Sequence, residues 1–430
     1  MKKLTAIVLS ALMLTAFVPV QGYAENLTEG VEVIEENGTT ILRADNIEYA
    51  VNNGGHAVPV DVIDKSVTSV YLPAEVNGYP VDYSVGGYPD TDGNTDGRAS
   101  QEIFSRCKNL TEITVDPDNT HIKSVDGVLF SANGRTLYAY PPAKAGDYVI
   151  PEGTGLVAGG AFWRTTGLGA VTVPESVRQV DTAFCYSSVT EFIGAVPLVH
   201  VSSLRFCNDL RSVTVRPSAT GTVNAWFFEL PSLEYAAFTP EVIVEGDIAV
   251  VDCPKLKHID LPQSIPQKSG LFDFVIRNCA ALESVSLYNG QLDSLYENTV
   301  LILDIEQCPA LREITIKQIP YVYSRHPLAL SELPALERII VTELPQSAVA
   351  GTNPADDVVF NPFSVGENRG DFTVSGHLAN TNLRRWCEEN GIPFESLDKR
   401  GDANLDGDST VSGAVSSDKE HMVMVAVNAK

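Results

Sequence analysis

A nine-residue pattern recurs along most of this chain. "CKNLTEITV" (107–115) returns as "CNDLRSVTV" (207–215), "CPKLKHIDL" (253–261), "CAALESVSL" (279–287) and "CPALREITI" (308–316). "LPSLEYAAF" (230–238) and "LPALERIIV" (333–341) carry Leu where the others carry Cys, and residues 164–173 and 187–195 are looser copies. The anchor residues Leu168, Val189, Leu210, Leu233, Leu256, Leu282, Leu311 and Leu336 are spaced by 21, 21, 23, 23, 26, 29 and 25 residues. A sustained period in the twenties is the signature of a leucine-rich-repeat solenoid.

Within each unit the apolar residues after the anchor alternate, as in Ile113 and Val115 or Val285 and Leu287. Period two predicts a short strand with one buried face. One such strand cannot bury its apolar side alone, whereas stacked copies form a parallel sheet on one side of a coil. Alternating outward are Thr114, Thr172, Thr214, Ser286 and Thr315. These small polar residues are the candidate ligand-binding positions on the exposed sheet face.

Three further stretches resemble the BspA-like leucine-rich-repeat proteins of bacterial surfaces. "YLPAEVNGYPV" (71–81) is similar to the opening unit of that family. Residues 115–162, with "DGVLF", "TLYAYP" and "YVIP", are similar to its longer unit, and "GHLANTNLRRWCEENGIPFESL" (376–397) to its terminal one. The resemblance covers roughly residues 45–398. It implies an α/β to mainly β leucine-rich-repeat solenoid, with short parallel strands stacked along one face. It also implies a surface-associated, non-catalytic role in protein–protein contact or host adhesion.

The expected organisation is a signal peptide over 1–24, a lead-in over 25–44, a solenoid over 45–398 with a cap unit over 376–398, and either a remnant calcium-loop module or a flexible, disordered tail over 399–430. Lys2 and Lys3, the apolar run Leu4–Val18 and the small-x-small Gly22-Tyr23-Ala24 predict export and cleavage after Ala24. No later apolar run reaches the roughly 18 residues of a membrane span. In the unit 376–398, Thr381 to Asn390 reads as a helix, ended by Gly391 with Pro393 beyond, and predicts a cap over the solenoid end.

The net charge of −25 becomes −27 once Lys2 and Lys3 are removed, because residues 1–24 hold no acids. Such a chain repels phosphate backbones, which excludes nucleic acid as the natural partner. It also attracts divalent cations. No H-E-x-x-H, C-x-x-C, G-x-S-x-G or phosphate-loop motif occurs, so no enzyme class is indicated. His377 and Cys387 share the cap unit, where packing is their expected role. Of the seven cysteines, Cys107, Cys207, Cys253, Cys279 and Cys308 each sit three residues before an anchor Leu. This fits a buried thiol ladder, and disulfides between stacked neighbours such as Cys253 and Cys279 are the alternative.

No cofactor is required, but two stretches suit calcium. Asp92, Asn94 and Asp96 alternate before Gly97, inside an insertion in the first repeat. Asp402, Asn404 and Asp406 do the same before Gly407, in "GDANLDGDSTVS". The second stretch is similar to the first calcium loop of a type I dockerin. That resemblance implies a cellulosome-associated alternative, with a cohesin as partner and repeats that bind polysaccharide or inhibit proteases. The stretch departs from the dockerin pattern at Ser409 and Gly413, and it has no second copy. Two Arg-Gly-Asp tripeptides, 369–371 and 400–402, are further candidate adhesion elements.

Overall fold

The structure is a computed structural model. It describes residues 30–36, 38–83, 102–180, 182–195, 204–217, 222–239, 241–262, 270–287, 299–316, 328–342, 363–365, 371–398, 413–418 and 421–425. The leader 1–24, the acidic stretches carrying Asp92, Asn94, Asp96, Asp402, Asn404 and Asp406, and both tripeptides apart from Asp371 lie outside the described residues. The chain divides into two compact units, Met1–Asp209 and Leu210–Lys430.

The first unit begins with an antiparallel meander, Glu32–Glu36, Thr39–Ala44, Ile47–Val51 and Ala57–Val62. Asp45 and Asn46 join its second and third strands, with φ of 47° and 68°. Two residues at positive φ match the twist of a tight hairpin. The residue 44/45 boundary drawn from the sequence therefore falls inside a hairpin turn. Ser69–Leu72 then pairs parallel with Glu112–Val115, which stacks the first repeat strands. Val70, Leu72 and Ile113 point into the core. Further on, Gly146–Val149, Leu168–Val173 and Glu191–Ala195 run parallel in one sheet. Thr136–Ala139, Leu156–Val157 and Gln179–Val180 run parallel in another. Between them stack Tyr140, Phe162 and Phe184, with ring centroids 5.0 Å and 4.5 Å apart in turn.

The second unit is a parallel β-solenoid of about seven coils. Its front sheet stacks Ser212–Arg216, Tyr235–Phe238, His258–Leu261, Ser284–Leu287, Glu313–Ile316, Arg338–Val341, Thr373–Gly376 and Phe394–Ser396. All but the last two are the strands expected from the repeat pattern. Their inward column, Val213, Ala236, Ile259, Val285, Ile314, Ile339 and Val374, is fully buried.

A second parallel sheet forms the rear of each coil: Thr222–Phe228, Ile243–Val251, Gly270–Arg277, Thr299–Glu306, Leu328–Ser331 and Phe363–Val365. The repeat pattern predicts strands on one face only. The rear strands arise because these segments are β-branched and aromatic, and they bury Phe227, Val250, Ile276, Ile305 and Leu330 against the front sheet.

A strained residue links each of the first five rear strands to the next front strand. Glu229, Asp252, Asn278, Gln307 and Glu332 all adopt φ between 54° and 58°. Each immediately precedes the repeat's Cys or Leu. A left-handed non-glycine residue costs on the order of 1–2 kcal/mol. Hydrogen bonds to the following coil hold the conformation, from Asp252 N to Arg277 O (3.1 Å) and from Gln307 N to Ser331 O (3.3 Å). The next residue then opens a tight turn closed from Leu256 N to Cys253 O and from Leu282 N to Cys279 O, both 3.1 Å.

All seven cysteines are buried free thiols. Hydrogen bonding to Cys253, with burial, pushes Cys279 up to about 12 from an ordinary 9.0. Burial does the same to Cys207 and Cys387. Hydrogen bonding to Cys279 raises Cys308 as well. A thiol raised in the folded state stabilises the fold fully below its unfolded value, and that stability is lost as pH rises toward the folded value. Denaturant midpoints should therefore fall steadily as pH rises from about 9 to about 12. Alkylation at pH 8 should label the thiols only after unfolding. Rapid labelling of the native protein would contradict the buried ladder.

The solenoid end is closed by the helix Thr381–Glu389, whose N-cap Asn380 accepts a hydrogen bond from Leu383 N. Gly391, at φ 63°, ends it. Leu383, Trp386 and Cys387 are its buried face. His377 partners Asp398 rather than Cys387, at Nδ1–Oδ1 2.6 Å, while its Nε2 lies 3.0 Å from Thr342 O. Burial alone would raise the Asp398 carboxyl. Hydrogen bonds from His377, Leu378 and Ser396 together hold it below the ordinary value. Beyond the cap, Gly413–Asp418 pairs antiparallel with His421–Val425. Part of the tail expected to be disordered is thus a strand pair. A dockerin segment would continue there as a helix.

Candidate functional site

The front sheet of the second unit presents two outward columns in strict register. Tyr235, His258, Ser284, Glu313 and Arg338 form one. Thr214, Ala237, Asp260, Ser286, Thr315 and Ile340 form the other. Parallel pairing without a slip places residues one coil apart side by side, so chemistry 23–29 residues apart in sequence converges here.

The convergence is densest around His258. Its Nδ1 lies 2.5 Å from Ser284 Oγ, and its Nε2 lies 2.8 Å from Asp260 Oδ1. The Tyr235 hydroxyl donates to Asp260 Oδ2 at 3.1 Å. The Tyr235 ring stacks over the imidazole with centroids 6.2 Å apart and planes 17° from parallel. Burial, and then the Asp260 carboxylate, raise the Tyr235 phenol above its ordinary value, so it stays a donor. Beside this group Arg338 pairs with Glu313 at 2.5 Å. Arg312 reaches Glu337 at 3.3 Å and Lys257 reaches Glu234 at 3.4 Å at the strand entries. These exposed ion pairs contribute little stability.

Serine, histidine and aspartate in contact invite a nucleophilic reading. Hydrolysis also needs donors aimed at a developing oxyanion. Here the strand N–H groups are used in the parallel ladder. The side chains stand on an open sheet face. The group is equipped to stack and hydrogen-bond to a ligand rather than to activate Ser284.

The five residues singled out from the sequence all lie on strands and are half-buried. Thr214, Ser286 and Thr315 share the column that passes through Asp260. Thr114 and Thr172 belong to the first unit, where Thr114 Oγ1 donates to Val70 O at 3.2 Å. Sequence reasoning took the position four residues after each anchor and overlooked the position two residues after it. That second column is Ser212, Tyr235, His258, Ser284, Glu313 and Arg338. Aligning the units on their anchors and reading down that column exposes the cluster.

No protein-family model matches the chain, and no curated protein does. Among solved structures it is similar to the pneumococcal vaccine antigen PcpA, at 18% identity over 59% of this chain and 51% of that one, with a TM-score of 0.32. A leucine-rich repeat protein from Eubacterium ventriosum is similar at 18% identity, over 56% of this chain and 57% of that one, with a TM-score of 0.32. A leucine rich cell surface protein from Faecalibacterium prausnitzii is similar at 14% identity, over 86% of this chain and 98% of that one, with a TM-score of 0.25. The chain spans about half the length of the first two. The chain's own coils define its class, a leucine-rich-repeat solenoid of stacked parallel strands. Among the described residues, no helix is long and apolar enough to cross a membrane.

Proposed function

We propose that this is a secreted or surface-displayed, non-catalytic binding protein whose docking surface is the front sheet of the second unit, centred on Tyr235, His258, Asp260 and Ser284. The observation that carries the reading is the stacked Tyr235–His258 pair, braced by Asp260 on a strand array of regular register. A rigid aromatic face with adjacent donors and acceptors binds at low entropic cost. It suits either a protein loop or a sugar ring, which brings apolar C–H faces and hydroxyls together. Export rests on the leader sequence, and adhesion to host or neighbouring cells is the biological role that fits both.

The test is retention of the full chain on a panel of matrix proteins and plant polysaccharides. Tyr235→Ala and His258→Ala should each weaken the interaction found by at least about 30-fold, the scale of an interface hot spot. Thermal midpoints should stay within about 2 °C of the parent, because both side chains are partly exposed. Retention on none of the panel, or retention indifferent to both substitutions, would sink the reading.

A further inference from the structure

The first unit contains a second cluster of chemistry, at none of the anchor-based positions of the nine-residue repeat. His56 follows the turn before the meander's last strand, Asp82 follows the Tyr79–Pro80 strand, and His121 precedes Ile122–Val125. One donor atom from each lies within 4.8 Å of the other two. We propose that His56, Asp82 and His121 bind a single zinc-like divalent transition-metal ion and staple three chain segments together.

Four observations carry the assignment. First, the donor set is right. Two imidazoles and one carboxylate are a common set for zinc and its first-row neighbours, whereas calcium and magnesium take oxygen alone. Second, the spacing is right. His121 Nδ1 stands 3.7 Å from Asp82 Oδ2, too far for a hydrogen bond. Two donors on one tetrahedral ion, each at about 2.0–2.1 Å, stand about 3.4 Å apart. The two imidazoles are 5.1 Å apart and nearly perpendicular, so they can converge on one point without clashing.

Third, His56 Nδ1 is buried with no hydrogen-bond partner. A buried ring nitrogen left so is costly unless something coordinates or protonates it. Fourth, the three ligand-bearing segments are fixed to one another independently of any ion. Ala57 bridges Val81, and Asp82 N donates to Ala57 O at 3.2 Å, which ties the residues beside His56 and Asp82 together. Asn119 Nδ2 donates to Val81 O at 3.0 Å, while Asn119 Oδ1 accepts from His121 N at 2.9 Å. Asn52 Oδ1 accepts from His56 N at 3.0 Å. The Asp82 carboxylate is itself oriented, since its Oδ1 accepts from Tyr83 N at 2.7 Å. Supporting hydrogen bonds of this kind fix ligand orientation at metal sites. Three protein ligands leave one coordination position open for water or an incoming group.

The alternative is a His121–Asp82 contact with no ion between them. That arrangement leaves the His56 nitrogen unsatisfied and gives no role to the perpendicular second ring.

The experiment is calorimetric titration of the full chain with Zn2+, in millimolar Ca2+ so that sites made of carboxylates alone are occupied. Co2+ then serves as an absorbing probe. The expected result is one saturable zinc equivalent, with Co2+ bands free of the thiolate charge transfer that buried Cys107 would add. Zinc should raise the thermal midpoint of the parent. His56→Gln and His121→Gln should each lower the affinity at least about 100-fold, more than is typical for a mere supporting residue, and should abolish that rise. His258→Gln, on the other unit, should leave both unchanged. If Asp82→Asn fails to fold, the two histidine variants decide the matter at partly exposed positions. No saturable uptake, uptake indifferent to both histidine variants, or a thiolate signature would overturn the site.

Discussion

Phe162→Ala is expected to lower the unfolding free energy of the first unit by about 3–5 kcal/mol. The side chain is fully buried. It stacks on Tyr140 and on Phe184, the second at 4.5 Å with planes 14° apart. Truncation removes these contacts and a tilted one with Tyr148 at 6.1 Å, and leaves a cavity that neighbouring coils cannot close, because each is pinned by its own strand pairing. The loss should appear as a lower denaturant midpoint in the transition that reports this unit. Phe162→Leu, which keeps apolar volume, should cost markedly less. A Phe162→Ala variant within 1 kcal/mol of the parent would mean that the aromatic column is not a structural spine.

Leu282→Ala is the second large effect, expected at about 2–5 kcal/mol. Leu282 is the anchor of a central coil of the second unit and is fully buried. Its N–H closes the turn on Cys279 O. In a solenoid each coil contacts chiefly its neighbours, so a central defect weakens two interfaces at once. Ser286→Ala, four residues on and outward-facing, should stay within about 0.5 kcal/mol. Unfolding of both variants by urea, followed by circular dichroism, gives the comparison. Equal losses for the two would refute the inward and outward columns assigned to this sheet.

The legible and the illegible parts of the molecule differ for physical reasons. Front strands could be read because burial of one face forces a period of two after each anchor, and the solenoid repeats that demand in every coil. The cap helix was equally plain at its end, since Gly391 and Pro393 punctuate it by local backbone preference; its N-cap, Asn380, came from the structure. Rear strands such as Ile243–Val251 and Thr299–Glu306 were overlooked. They alternate too and end five residues before the next anchor, but they lie upstream of the nine-residue unit that opens at the repeat's Cys or Leu, so that unit carries no sign of them. The tail was read as a dockerin-like remnant or a flexible segment, and the strand pair there accords with the β-branched alternation in "HMVMVAV".

The sequence by itself determined that stacked parallel strands would form, where the anchors lie, which residues point inward and where a helix closes the end. These are local or periodic demands, set by side-chain burial and turn chemistry. Only the tertiary structure decided what meets across coils. His258 reaches Ser284 because the parallel register advances one whole repeat, 26 residues, between neighbouring strands. His56, Asp82 and His121 come together because a meander, a short hairpin and a long repeat unit are cross-tied through Ala57, Val81 and Asn119. The first convergence follows the anchor spacing but needs the strand register to become a contact, while the second has no sequence spacing of its own, because contact between unrelated segments is fixed by packing rather than by any local pattern.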